Sequence, residues 1–225
     1  MNKIILYHGS PEIIDIPIYG KGKKYNDYGQ GFYCTENIEL AKEWACSENI
    51  DGFVNKYELD ITNLTILNLS DEKYTILHWI TLLIEHRQFR ITTPLMKKSV
   101  NYLKEHFLID ISNYDLVIGY RADDSYFSFA RAFLNNEISL TQLSYSMRLG
   151  ELGEQIVLIS PKAFANIKFI SYSIADNQTY YTKRKIRDYQ ARENFRKEAE
   201  KDDINGIYIR DILRKEITGN DPLIR

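Results

Sequence analysis

Gly29-Gln30-Gly31-Phe32-Tyr33-Cys34-Thr35, with the run Glu36-Asn37-Ile38-Glu39-Leu40-Ala41-Lys42-Glu43-Trp44-Ala45 behind it, is the stretch on which the reading of the fold turns. Two glycines bracket one polar residue, and glycine either takes positive φ or lets the backbone approach a neighbour or ligand closely. Thr35 reads as the N-cap of a helix, with Glu36 suited to the first-turn dipole. Leu40, Ala41, Trp44 and Ala45 then share one helical face. Tyr33 is thereby set at a loop–strand–helix junction, with a second aromatic residue, Trp44, further along the helix. The same residues also describe a plain glycine turn before an amphipathic helix with core aromatics, and this stretch alone leaves both readings open.

Upstream, Ile4-Ile5-Leu6-Tyr7 is a short apolar strand ended by His8-Gly9-Ser10-Pro11, which puts His8 at the strand's mouth. Between Ile18 and Tyr28 lies Gly20-Lys21-Gly22-Lys23-Lys24-Tyr25, a mobile basic loop whose lysines and amides can hold phosphates but which lacks Walker spacing. Downstream, residues 54–60 and 64–69 alternate as strands. Ser70 caps a helix with Ile76, Leu77, Ile80, Leu83 and Ile84 on its apolar face, and Thr93-Pro94 opens another lined by Val100, Leu103 and Phe107. His78, His86 and His106 in these helices have no ligand partners at metal spacing, so no metal site is expected.

Tyr114 to Tyr120 is a buried strand ending at Arg121, and Asp123 or Asp124 caps the next helix, Tyr126 to Leu134. Ser139-Leu140-Thr141-Gln142 has capping-box form and starts a helix reaching about Met147. After the break at Gly150-Glu151-Leu152-Gly153, strands follow at Glu154–Ser160 and Ile167–Tyr172. From Lys183 to Asp203 the chain is strongly charged, with Glu193/Lys197 and Arg196/Glu200 four apart, as in a solvated helix. Short strands with helices between them indicate an α+β fold. The expected organisation is a main domain over residues 1–178, with a helical insertion at about 70–108, and a charged C-terminal extension over 179–225.

Composition sets the class. The chain has 225 residues, 44% hydrophobic and 27% charged, enough for a substantial core in a globular protein. A net charge of −2 gives no global case for nucleic acid, so any basic surface is local. Cys34 and Cys46 are too few for a disulfide scaffold or a four-cysteine zinc site. With no signal-peptide pattern and no apolar run long enough to span a membrane, the expected location is cytoplasmic.

Three fragments belong together: Leu6-Tyr7-His8-Gly9-Ser10, Gly29-Gln30-Gly31-Phe32-Tyr33 and Gly153-Glu154-Gln155-Ile156-Val157. In order and form they resemble the signature of the ADP-ribosyltransferases, in the His-Tyr-Glu branch that includes the poly(ADP-ribose) polymerases and diphtheria toxin. The chain is also similar to bacterial ADP-ribosyltransferase-like domains, some regarded as toxins paired with an antitoxin, which share the Arg121 to Phe127 segment. The resemblance implies a split β-sheet core and NAD as substrate, with His8, Tyr33 and Glu154 as catalytic residues. It implies that His8 donates to a ribose hydroxyl, the Gly9 backbone meets the carboxamide, and Ser10 and Gly31 complete the NAD site. Tyr33 and Trp44 would stack on the nicotinamide, while Glu154 would stabilise the oxocarbenium that forms on the ribose. Lys21, Lys23 and Arg121 would contact phosphate or target. Ala41 departs from the pattern, standing where a serine usually bonds the carboxamide, which removes about 1 kcal/mol.

The expectation is therefore a mono-ADP-ribosyltransferase acting on a cytoplasmic protein or nucleic acid, as the toxin of a toxin–antitoxin pair. Glu151 is the competing acid. A non-catalytic NAD- or partner-binding module, an NAD hydrolase and an RNA 2′-phosphotransferase are the alternatives.

Overall fold

The computed structural model of the chain describes residues 2–122, 124–149 and 153–224, with backbone alone for 124–126. Strands β1 (Lys3–Ser10), β2 (Phe32–Cys34), β3 (Gly52–Asp60), β4 (Ile66–Asn68), β5 (Leu116–Tyr120), β6 (Glu154–Leu158) and β7 (Ile167–Ala175) make two sheets. The first is antiparallel in the order β1-β3-β7; the second runs β2-β6-β5-β4, with β4 and β5 parallel. They meet at one seam, where Tyr7 and Thr35 exchange backbone hydrogen bonds of 2.8 and 2.9 Å. The fold is α+β, as the alternation of elements predicts.

Leu6, Tyr57 and Leu59 of the first sheet pack against Phe32, Cys34, Leu116, Ile156 and Leu158 of the second, with Ala163 of the short helix α6 (Pro161–Ala165) in the same cluster. On the outer side of the second sheet, α2 (Ile76–His86), α3 (Pro94–Phe107), α4 (Asp124–Leu134), α5 (Leu140–Ser146) and α8 (Ile209–Lys215) build the largest core. The helices between β4 and β5 are thus part of that core, around Trp79, Leu103, Phe129 and Phe133. Outside the first sheet, α1 (Ile38–Ala45) and α7 (Asn177–Ala199) lie together, with Ala41, Ala45, Cys46, Val54 and Ala175 buried between them and the strands.

Several local expectations shift. The helix after the Gly-x-Gly stretch is capped by Asn37, whose Oδ1 accepts from the Glu39 and Leu40 amides at 3.0 and 3.3 Å. Thr35 is held in the seam with Tyr7, so its backbone cannot start a helix. Thr75, not Ser70, precedes α2, with the His78 ring accepting from the Thr75 amide at 3.0 Å. β1 continues through Ser10 because its residues pair in register with β3, His8 opposite Asn55 and Gly9 opposite Val54; this ladder outweighs the breaking tendency of Gly and Ser. Helices α3 and α5 begin as read: Thr93 Oγ1 accepts from the Met96 amide, and Ser139 and Gln142 close a capping box. The expected acidic cap at Asp123 or Asp124, and the competing Glu151, fall outside the described residues and side chains.

Candidate active-site cleft

A cleft of about 850 Å³ opens where the two sheets diverge from their seam. That size suits a small-molecule or cofactor site. Along β1 every second side chain faces the inter-sheet core, so His8 follows Leu6 on that face and stands at the core's open end. Its ring stacks on Phe32 at 4.3 Å, and its Nδ1 lies 2.7 Å from the Tyr33 carbonyl oxygen. A carbonyl only accepts, so Nδ1 carries the proton and Nε2 of the neutral ring is an acceptor. Burial lowers the His8 pKa below the usual histidine range, partly opposed by the bond to Tyr33, and so favours that neutral form. The ring therefore presents an acceptor, Nε2, where the resemblance implies a donor.

Gly9 faces the other way, against α1. A Cβ there would lie 2.1 Å from the Ala41 carbonyl oxygen and 2.7 Å from the Ala45 amide nitrogen, so only glycine lets β1 and α1 approach this closely. The contact fixes Trp44, on the same helix, as a cleft wall. Gly29, at φ +74°, turns the chain into β2, and its carbonyl accepts from the Tyr33 hydroxyl at 2.6 Å. Burial also pushes the Tyr33 phenol well above its ordinary pKa, which keeps it protonated.

His8, Gly9, Ser10, Lys21, Lys23, Gly31, Tyr33, Trp44 and Arg121 all line this one cleft. The basic loop is tethered rather than loose, since the Gln30 amide donates to the Gly22 carbonyl at 2.9 Å. The Arg121 guanidinium lies 4.0 Å above the Trp44 ring, and Trp44 Nε1 is buried with no hydrogen-bond partner among the described residues.

Glu154 is placed differently. Strand alternation gives it the same sheet face as Ile156 and Leu158, but it is exposed, its carboxylate accepts from Ser70 Oγ across β5, and it is not among the cleft walls. Its neighbour Gln155 lines the cleft instead.

The cleft floor holds a polar hub that reading along the chain did not reveal. Asp27 is buried, accepting from Arg87 Nε at 2.8 Å, the Ala122 amide at 2.9 Å and Gln155 Nε2 at 2.8 Å. Gln155, Tyr28 and Trp79 all donate to the Tyr120 carbonyl. The one local signal was an acid directly before the Tyr28-Gly29 turn. The second omission is α7: Arg184, Lys185, Asp188 and Arg192 form a cleft wall. The helix is latched to α1 by Arg187, whose Nη2 lies 2.6 Å from buried Glu43 Oε1, and by Arg184, which reaches the Cys46 carbonyl at 3.3 Å.

Among the described residues no group of three or more His, Cys, Asp and Glu could hold a metal ion, and no helix is long and apolar enough to cross a membrane. Comparison with curated proteins and with solved structures gives no match. One family model, described as "protein of unknown function (DUF3990)", matches residues 4–169, a span holding both sheets up to the first residues of β7, and the chain belongs to that family.

Proposed function

We propose that the cleft binds NAD and that the protein is a mono-ADP-ribosyltransferase acting on a macromolecule. The observation that carries this reading is the union of His8 and Tyr33, from two different sheets, by one hydrogen bond at the end of a single cleft. His8 Nε2 is oriented to accept from a ribose hydroxyl. Tyr33 and Trp44 are the aromatic residues of the cleft wall on which the nicotinamide would stack. Lys21, Lys23 and Arg121 supply positive charge for the diphosphate.

In the reaction, the bond from ribose C1′ to the nicotinamide nitrogen breaks and the neutral base leaves with the electron pair. A nucleophile of the acceptor bonds to C1′ and gives up its proton. Positive charge that builds on the ribose calls for a carboxylate nearby. Glu154 fills that role by exchanging the Ser70 hydroxyl for a ribose 2′-hydroxyl, a side-chain rearrangement at an exposed strand end.

The bond between Glu154 and Ser70 favours one second reading, a module that holds NAD without turning it over. Calorimetric NAD binding and nicotinamide release, measured together, separate the two. Transfer predicts that His8→Ala weakens binding, whereas Glu154→Gln binds NAD but releases little nicotinamide. Equal release from wild type and Glu154→Gln would remove Glu154 from the mechanism, and binding without any release would leave the binding module.

A further inference from the structure

The chain has 29 basic and 31 acidic residues, yet the cleft rim reverses that balance. Lys21 and Lys23 stand on one lip, and Arg184, Lys185 and Arg192 on the lip made by α7. Of the three acids in the walls, Asp27 is paired with Arg87 and Asp188 with Arg192, which leaves Glu12 alone against the lysines. An exposed tyrosine, outside the cleft lining itself, flanks each set of cations along the chain. Tyr19, 55% exposed, is two residues before Lys21. Tyr189, 65% exposed, lies four residues after Lys185 and three before Arg192, on one face of α7.

A diphosphate alone needs neither two cationic lips nor solvent-facing rings. Cations that track a backbone, interleaved with aromatic faces on which bases stack, are the chemistry of single-stranded nucleic acid. We propose that the rim of the cleft is a groove for a single-stranded nucleic acid, held through its phosphates by Lys21, Lys23 and Lys185 and through its bases by Tyr19 and Tyr189. The α7 lip lies beyond the span matched by the family model, so this half of the groove is not a feature of that span. As the acceptor class for the transfer proposed above, the assignment rests on that reading; the binding itself needs no NAD.

The test is fluorescence anisotropy of a fluorescein-labelled single-stranded oligonucleotide, as DNA and as RNA, without NAD. Competitors are the duplex of the same sequence and poly-glutamate of equal charge. The groove predicts saturable binding that weakens with salt, a salt slope reduced by about one in Lys185→Ala, and binding about fivefold or more weaker in Tyr189→Ala. Both side chains are exposed, so neither change threatens folding, which circular dichroism checks. The proposal is overturned by absence of binding at low salt, by poly-glutamate or duplex competing as well as the single strand, or by a silent Tyr189→Ala. Oligonucleotide binding in a protein that never releases nicotinamide would uphold the groove and defeat the transfer reading; the converse would defeat only the groove.

Discussion

Replacing Asp27 by Asn keeps size and shape while removing the charge at the cleft floor. In the native protein Oδ1 accepts from Arg87, and Oδ2 accepts from both the Ala122 amide and Gln155. Asn has one acceptor oxygen. If it faces Ala122, its NH₂ meets the Arg87 Nε–H donor against donor; if it faces Arg87, the Ala122 amide loses its partner. The Gln155 side chain can turn its amide to adapt, but Tyr120 then loses one of its three donors. Breaking a buried ion pair from one side costs about 3–5 kcal/mol. The Arg87 side chain is 23% exposed, which argues for the lower end, about 3 kcal/mol. For a chain of this size that lowers Tm by about 6–12 °C. Thermal unfolding followed by circular dichroism, with urea denaturation beside it, measures both quantities. Adding Arg87→Met to Asp27→Asn should recover part of the loss, because the uncompensated charge goes too. A Tm within about 2 °C of wild type for Asp27→Asn alone would refute the assignment of the hub as the anchor of the cleft floor.

Gly9→Ala places a methyl group onto the α1 backbone and should cost about 3 kcal/mol while shifting Trp44, seen as a lower urea midpoint together with weaker NAD binding. Glu43→Gln leaves Arg187 without its carboxylate and should destabilise by about 3 kcal/mol, with faster hydrogen exchange concentrated in α7; uniform exchange across the chain would contradict the latch. The pH profile tests the His8 assignment. Because the folded pKa is lowered, the neutral ring's contribution is complete above the unfolded value of about 6.5 and is lost as pH falls through the folded pKa. NAD affinity should therefore be flat from about pH 6.5 upward and fall only on acidification. Affinity that rises as pH falls would show a protonated, donating His8.

Legibility tracked locality. The starts of α3 and α5 were readable because Thr93-Pro94 and Ser139 with Gln142 contain their own hydrogen-bond partners within three residues. The extension of β1 through Gly9 was not, since β3 supplies the stabilising bonds from more than forty residues away. Thr35 was a reasonable cap by type, and the seam with Tyr7 took its backbone instead. The Asp27 hub joins a loop, α2, β5 and β6, a conjunction that no period or motif encodes. Charge density made α7 read as solvated, and only Ala191 is buried along it, yet one edge of that helix walls the cleft. Gathering His8, Gly9, Tyr33 and Trp44 required only motif order along the chain. The turn of Glu154 toward Ser70 is a rotamer, which the order of residues does not specify.

The most direct test of the central claim is transfer itself. Purified protein would be incubated with adenine-labelled NAD and cell lysate, beside His8→Ala and Glu154→Gln, and the lysate split into protein and nucleic-acid fractions. The account predicts label in the nucleic-acid fraction that both substitutions abolish. Label in neither fraction, with no nicotinamide released and no NAD bound, would contradict it.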